Sequence, residues 1–238
     1  MSSENTYSGT EELWQIERGM PNYNNDIVSK LTSNILPSHK ILEFGAGIGT
    51  LADLTQKNKS VAVDCLEIDP NLQAVLAKRG FNCYPTIDSL NTQYDLIYSS
   101  NVLEHIKDDQ IVLQKLYDVL KRNGTLAIYV PAHMCLYSEF DKAVGHYRRY
   151  SINELNYKLK VAGFHIDKIN YVDSIGFIAW WLLKLRGYKK TNSHTGEKNN
   201  YRSFYFYDRY IYPISQFIDN IGFKYFYGKN ILAIARKI

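Results

Sequence analysis

The chain has 238 residues, of which 45% are hydrophobic. This length and composition are sufficient to form the buried core of one large α/β domain. The formal net charge of +4 is modest and the basic residues are scattered, so charge gives no support for a nucleic-acid partner. The first residues are polar and acidic, whereas a secretory signal begins basic and then turns apolar, so we expect a cytoplasmic protein.

Apolar strands alternate with helical patterns along the chain, and this order predicts a parallel sheet with helices on both faces. We expect a single domain over 1–238 that consists of four parts. These are an N-terminal helical lid (1–38), a core of sheet and helices (39–173), an aromatic-rich insertion or cap (174–227) and a final strand (228–238).

The most informative segment runs from Ile41 to Gly49, where a buried strand leads into a turn with glycines at three alternate positions. Such glycines let the backbone approach a ligand, and Glu43 lies near the end of the strand. A dinucleotide-binding turn, G-x-G-x-x-G, would need a glycine in place of Thr50. The spacing therefore favours S-adenosylmethionine over NAD.

A second acid is expected at the end of the next strand, because a nucleoside site needs a carboxylate for the ribose about 20 residues further on. The apolar run 60–66 ends in Glu67, Ile68, Asp69 and Pro70. We assign Glu67 to the ribose. Asp69 is the rival, but its place before a proline and a helical run favours a helix N-cap.

The second half of the core continues the alternation. A helix is predicted from Asp108 to Lys121, and Asn123 and Gly124 should end it before the fifth strand. The remaining predicted elements are a helix from Ser151 that Gly163 ends, a strand over 165–173 and a last strand over 230–235.

Several ordered blocks make the chain resemble class I S-adenosylmethionine-dependent methyltransferases: the glycine loop, Tyr94–Ile106, Gly124–Ala132 and Gly145–Ser151. The last block resembles a bacterial, type 11/12-like subgroup that is often associated with cell-surface glycan and lipid-linked sugar pathways. The resemblance is weakest over 174–227. It implies a Rossmann-like, doubly wound, mostly parallel seven-stranded sheet whose last strand is antiparallel. It also implies S-adenosyl-L-methionine as cofactor and S-adenosyl-L-homocysteine as product.

The cofactor suggests a role for each residue of the predicted site. Glu43 would face the ammonium group, Glu67 the ribose diol, Ile68 the adenine and Asn101 the methionine portion. Asp88 would meet the adenine amine, or it is a turn residue. The predicted cofactor-binding residues are Glu43, Gly45, Ala46, Gly47, Gly49, Glu67, Ile68, Asp88 and Asn101.

Methyl transfer to an oxygen requires alignment of the acceptor and removal of its proton. His146 is the preferred base, with Asp141 as its orienting carboxylate, and His105 is the other candidate unless it only caps a helix. Arg148, Arg149 and Tyr150 are the predicted substrate-binding residues, because adjacent arginines suit a charged acceptor. The alternative is that an arginine pairs with Asp141 or Glu139 to fix the loop. No metal site is predicted.

The insertion over 174–227 is rich in aromatic residues. Its apolar run from Ile175 to Leu183 is too short to span a bilayer, which takes about 20 residues. Trp180 and Trp181 followed by basic residues suggest peripheral contact with a membrane or a lipid-linked acceptor. The alternative is a helical cap whose aromatic residues form its core.

We expect an enzyme that O-methylates a small molecule or a lipid-linked glycan. A non-catalytic binding protein and an N-methyltransferase acting on a small metabolite are the alternatives. A nucleotide-dependent oxidoreductase is disfavoured by Thr50, and the sequence does not specify the oligomeric state.

Overall fold

The computed structural model describes residues 10–33, 35–186 and 202–238. The first part of the predicted lid, residues 1–9, and the polar loop of the predicted insertion, within 187–201, lie outside the described residues.

Seven strands form one sheet in the order β3-β2-β1-β4-β5-β7-β6. The strands are β1 (Ile41–Phe44), β2 (Val63–Leu66), β3 (Cys83–Tyr84), β4 (Tyr94–Ser100), β5 (Leu120–Pro131), β6 (Phe164–Val172) and β7 (Asn230–Lys237). The first five strands pair in parallel, and β7 runs antiparallel to both β5 and β6. The predicted fold, including the antiparallel last strand, is confirmed.

Helices cover both faces of this sheet. They are α1 (Thr10–Gly19), α2 (Pro21–Leu31), α3 (Thr50–Lys59), α4 (Pro70–Lys78), α5 (Asp109–Asp118), α6 (Glu139–Ala143), α7 (Ile152–Val161), α8 (Ser174–Arg186) and α9 (Tyr212–Asn220). Because side chains alternate between the faces of a strand, each face of the sheet carries one buried apolar cluster. One packs Leu42 and Phe44 against α5 and α7, and the other packs Ile41 against α2, α3 and α4.

The boundary between α5 and β5 differs from the prediction. The helix ends at Asp118 and the strand begins at Leu120, so Asn123 and Gly124 lie inside the strand. Asn123 has a φ of +64°, and the pairing of β4 with β5 shifts register between Tyr94 and Leu96. The Asn-Gly pair therefore forms an irregularity in the strand rather than a helix stop.

The insertion packs on the N-terminal helices. A π-helical turn (Tyr207–Ile211) precedes α9, and its buried Asp208 accepts hydrogen bonds from the backbone N–H groups of Asn22 (3.1 Å) and Tyr23 (2.8 Å). The hydroxyl of Tyr212 donates to Asp26 of α2. These contacts agree with the alternative that the insertion is a packed helical cap. No helix of the described part of the chain has the length and apolar character needed to cross a bilayer.

Candidate active site

The glycine loop between β1 and α3 lies at the carboxyl edge of the sheet. Its three glycines have φ values of +74°, +57° and +84°, a region that side chains rarely adopt. The backbone N–H groups of Gly45 and Ala46 donate to the carbonyl of Leu66 at 2.8 and 3.0 Å. The turn is therefore fixed against the end of β2, where Glu67 follows.

The glycines of this loop have different neighbours. A Cβ on Gly45 would lie 2.3 Å from Cγ2 of Val102, so the loop after β4 touches the glycine backbone directly. A Cβ on Gly49 would lie 2.8 Å from Leu76 of α4. Gly49 is thus required for helix packing, whereas Gly45 and Gly47 are half-buried and face the edge of the sheet.

Glu67 is oriented by the backbone of the same edge. Its Oε2 accepts from the N–H of Gly47 at 2.8 Å and its Oε1 from the N–H of Asp69 at 3.0 Å. Burial raises the pKa of Glu67, and these hydrogen bonds oppose the shift. Each carboxylate oxygen keeps further lone pairs, so Glu67 fits a ribose diol. Ile68 beside it is exposed, as a surface for adenine requires.

Asp69, the rival acid, has a structural role. Its buried carboxylate accepts from the N–H of Asn71 at 2.8 Å and caps the N-terminus of α4. The predicted N-cap is therefore present.

Glu43 lies beneath the glycine loop on the side of α3. It is buried, and the hydroxyl of Tyr98 donates to it at 3.2 Å. Burial raises the pKa of Glu43 to about 8, with hydrogen bonds from Tyr98 and the backbone opposing the shift. A contact between Glu43 and the ammonium group of the cofactor stays a prediction.

Two further predicted cofactor residues occupy contrasting positions. Asn101 is exposed at the end of β4 with a φ of +53°, a conformation that asparagine tolerates and that suits a ligand contact. Asp88 lies on a short 3₁₀ turn, Ile87–Ser89, and pairs with Lys115 at 2.7 Å. An adenine amine would compete with that lysine, so the contacts favour the alternative that Asp88 is a turn residue.

The predicted catalytic residues come together beside the glycine loop. His146 Nδ1 lies 2.9 Å from Oδ1 of the buried Asp141, and the rings of His146 and His105 meet edge to face at 4.6 Å. Burial and the neighbouring His146 lower the pKa of His105 to about 4. His105 belongs to the 3₁₀ turn Leu103–His105, directly after the Val102 that contacts Gly45.

Sequence reasoning missed Glu104. Its side chain is 0% exposed, and neither carboxylate oxygen has a hydrogen-bond partner among the described residues. Burial raises the pKa of Glu104 to about 8. The available signal was its place beside His105, just after the fourth strand.

His133 was also missed. It follows β5 with a φ of +62°, stacks on Tyr171 at 4.6 Å, and its buried Nε2 has no partner within the described chain. A strained residue at the carboxyl end of a parallel strand is a frequent sign of a functional site.

The predicted substrate-binding residues are engaged elsewhere. Arg148 pairs with Asp109 at 3.0 Å, whereas the buried Arg149 pairs with Asp141 at 2.8 Å. The buried hydroxyl of Tyr150 donates to Asp109 at 2.7 Å. Because the two guanidinium groups contact different carboxylates, they form no joint clamp for a charged acceptor. These contacts agree with the loop-fixing alternative, and substrate binding by Arg148, Arg149 and Tyr150 stays a prediction.

Comparisons with known proteins agree with this geometry. A methyltransferase domain family matches residues 16–191. A trans-aconitate 2-methyltransferase of Deinococcus radiodurans is 31% identical over 105 residues, which are 41% of this chain and 40% of that enzyme. The chain thus aligns with less than half of that relative.

Solved structures show the same fold. The phosphoethanolamine N-methyltransferase 2 of Haemonchus contortus, in complex with S-adenosyl-L-methionine, has a TM-score of 0.67 at 17% identity over 98% of this chain and 57% of that chain. A SAM-dependent methyltransferase from Archaeoglobus fulgidus has a TM-score of 0.58 at 18% identity over 97% and 96% of the two chains. The chain therefore belongs to the methyltransferase domain family and has the fold of SAM-dependent methyltransferases of known structure.

Proposed function

We propose that this methyltransferase methylates a hydroxyl oxygen of a small-molecule or lipid-linked glycan acceptor. The observation that supports this proposal is the pair of Asp141 and His146, with 2.9 Å between Oδ1 and Nδ1. The contact with Asp141 orients the ring and leaves Nε2 directed away from it, toward Glu104. A hydroxyl is a weak nucleophile until a base removes its proton, whereas a neutral amine is nucleophilic without that step.

Glu104, His105 and His146 lie beside the glycine loop, where we propose that the methyl donor binds. Val102 touches Gly45, and Glu104 and His105 follow Val102 within the same turn. When bound, the cofactor would supply a methyl group on a sulfonium, and the acceptor would take this methyl group by in-line displacement of the thioether. The residues of the chain align the acceptor, exclude water and hold the hydroxyl proton at His146 Nε2.

The names of the similar proteins agree with two acceptor classes, a small molecule and an amine. A trans-aconitate 2-methyltransferase agrees with a small-molecule acceptor, and a phosphoethanolamine N-methyltransferase agrees with the N-methyl alternative. The histidine and carboxylate pair favours oxygen.

Incubation of the purified protein with methyl-labelled S-adenosylmethionine and cell fractions, glycolipids included, is expected to label a hydroxyl compound. Mass spectrometry of the product identifies the methylated atom. Substitution His146→Asn should lower kcat by about 10²- to 10⁴-fold. The matched control is His165→Asn, an exposed histidine on β6 that should leave kcat unchanged. Label on an amine, or full activity of the His146 variant, would contradict the proposal.

We further propose that the insertion contacts a membrane or a lipid-linked acceptor through exposed aromatic residues. Tyr225 and Phe226 are 69% and 76% exposed, and Lys224 precedes them. Aromatic side chains favour the headgroup region and a lysine favours anionic lipid.

Sedimentation with vesicles of phosphatidylcholine and phosphatidylglycerol tests this contact. The double variant Tyr225→Ser, Phe226→Ser is expected to reduce vesicle binding several-fold, because two apolar side chains no longer enter the interface. The control Tyr157→Ser, which removes a tyrosine that is 68% exposed on α7, should bind like wild type. Equal binding by the double variant and wild type would refute the contact.

A further inference from the structure

We propose that Glu104, His105 and His146 form a binding site for one divalent transition-metal ion, a site that the sequence did not predict. One ligand atom from each of the three side chains lies within 4.8 Å of the others. Two imidazoles and a carboxylate are a donor set that suits first-row ions such as zinc and cobalt.

The separations match a site that closes by small side-chain movements. His146 Nε2 lies 3.9 Å from Glu104 Oε1, which is too long for a hydrogen bond. Ligand bonds of about 2.0–2.2 Å in a tetrahedral site place neighbouring ligand atoms roughly 3.3 Å apart. Each ligand atom therefore needs to move by less than the length of one metal–ligand bond for all three to bind the same ion.

The carboxylate of Glu104 provides the second, independent observation. It is fully buried, yet both oxygens lack a hydrogen-bond partner among the described residues. A buried polar group without a hydrogen-bond partner is unfavourable, and more so when it is charged. Glu104 lies in the turn at the carboxyl edge of the sheet, beside two histidines. A cation between these side chains supplies the missing partner.

The surroundings hold the ligands in a suitable orientation. Asp141 accepts from Ser138 N–H at 2.8 Å and from Arg149 Nε at 2.8 Å, and it contacts His146 Nδ1. A carboxylate on the second nitrogen of a ligating histidine fixes the ring and directs the first nitrogen to the ion. The N–H of Tyr147 donates to the carbonyl of Glu104 at 2.8 Å, which joins the two ligand-bearing loops.

Three protein ligands leave coordination positions open for an acceptor oxygen. This step rests on the proposed O-methylation. The ion would bind the acceptor hydroxyl and promote loss of its proton to water. The oxygen would then form a bond to the methyl carbon while the S–CH₃ bond breaks. The electron pair of the S–CH₃ bond would stay on the sulfur of S-adenosylhomocysteine. With the ion bound, His146 Nε2 is a ligand, so the ion activates the hydroxyl in place of the metal-free imidazole proposed above.

Titration of the chelator-treated 238-residue protein with Co²⁺ alone tests the site. Visible absorption bands should saturate at one ion per chain, and Zn²⁺ should displace the Co²⁺. Substitutions Glu104→Gln and His146→Asn are each expected to weaken Co²⁺ binding by at least about 100-fold, since each removes a ligand directly. The control His165→Asn removes an exposed histidine next to Asp167 and should bind like wild type.

Absence of a saturable band in the wild type, or unchanged affinity in Glu104→Gln, would overturn the site. Glu104→Gln keeps the shape of the side chain, and circular dichroism of the metal-free variant checks its fold. If it is unfolded, His105→Asn provides the same comparison. A protein that binds Co²⁺ through these ligands and methylates an amine would keep the metal site and refute only the proposed acceptor class.

Discussion

Replacing Gly45 by alanine is expected to destabilise the protein by about 2–4 kcal/mol, as measured by denaturant unfolding. The new Cβ would lie 2.3 and 2.8 Å from the two Cγ atoms of Val102, which cannot withdraw as a long flexible side chain would. The φ of +74° adds a backbone cost of about 1 kcal/mol for a residue with a Cβ. The displaced loop should also bind S-adenosylhomocysteine more weakly.

Two further variants separate the steric cost from the backbone cost. Gly80 has a φ of +85°, and a Cβ added there would have nothing within 4 Å, so Gly80→Ala should cost only about 1 kcal/mol. Addition of Val102→Ala to Gly45→Ala should recover the steric part alone, with a coupling energy above about 1 kcal/mol. If Gly45→Ala costs no more than Gly80→Ala, the contact with Val102 does not constrain the loop.

The elements that local chemistry specifies were predictable. Ser151 caps α7 by accepting from the N–H of Glu154 at 3.1 Å, and Gly163 follows that helix with a φ of +93°. Both signals depend on a few neighbouring residues. Asn123 and Gly124 are also a local sequence pattern. An Asn-Gly pair, however, either ends a helix or forms an irregularity in a strand. Pairing of β5 with β4 and β7, which is tertiary, determines the outcome.

The candidate site divides in a similar way. Glu67 was predictable because the ends of adjacent parallel strands meet at one edge, at a known distance along the chain. The partners of Arg148 and Arg149 were not, since Asp109 and Asp141 reach them only through the fold. Glu104 was missed because an acid after a strand usually faces water. Its burial depends on the loop of His146 that closes over it.

The second large effect is expected at Glu67, where glutamine should weaken binding of S-adenosylhomocysteine by about 10- to 100-fold. Hydrogen bonds to a charged acceptor contribute about 1.5–3 kcal/mol, and each 1.4 kcal/mol is tenfold in affinity. Glutamine keeps one acceptor oxygen, so it cannot hold the N–H of Gly47, the N–H of Asp69 and a ribose diol together. Isothermal titration with S-adenosylhomocysteine measures the change.

Asp69→Asn is the matched control, because it also replaces a buried acid at the same edge by its amide. Asparagine caps helices as well as aspartate does, so both the stability and the affinity of this variant should stay near wild type. A greater loss of affinity in Asp69→Asn than in Glu67→Gln would indicate that Asp69, and not Glu67, binds the ribose.

A measurement of stability separates loss of folding from loss of binding in Glu67→Gln. Burial raises the pKa of Glu67 above the usual 4.5, so the folded state binds a proton more tightly than the unfolded state. Protonation of Glu67 therefore favours the folded state. This contribution to stability is present at low pH and is lost as the pH rises above 4.5. Glutamine carries no charge and has no such cost, so the free variant should gain stability relative to wild type with rising pH. A variant that is at least as stable as wild type and binds the ligand more weakly identifies Glu67 as a binding residue.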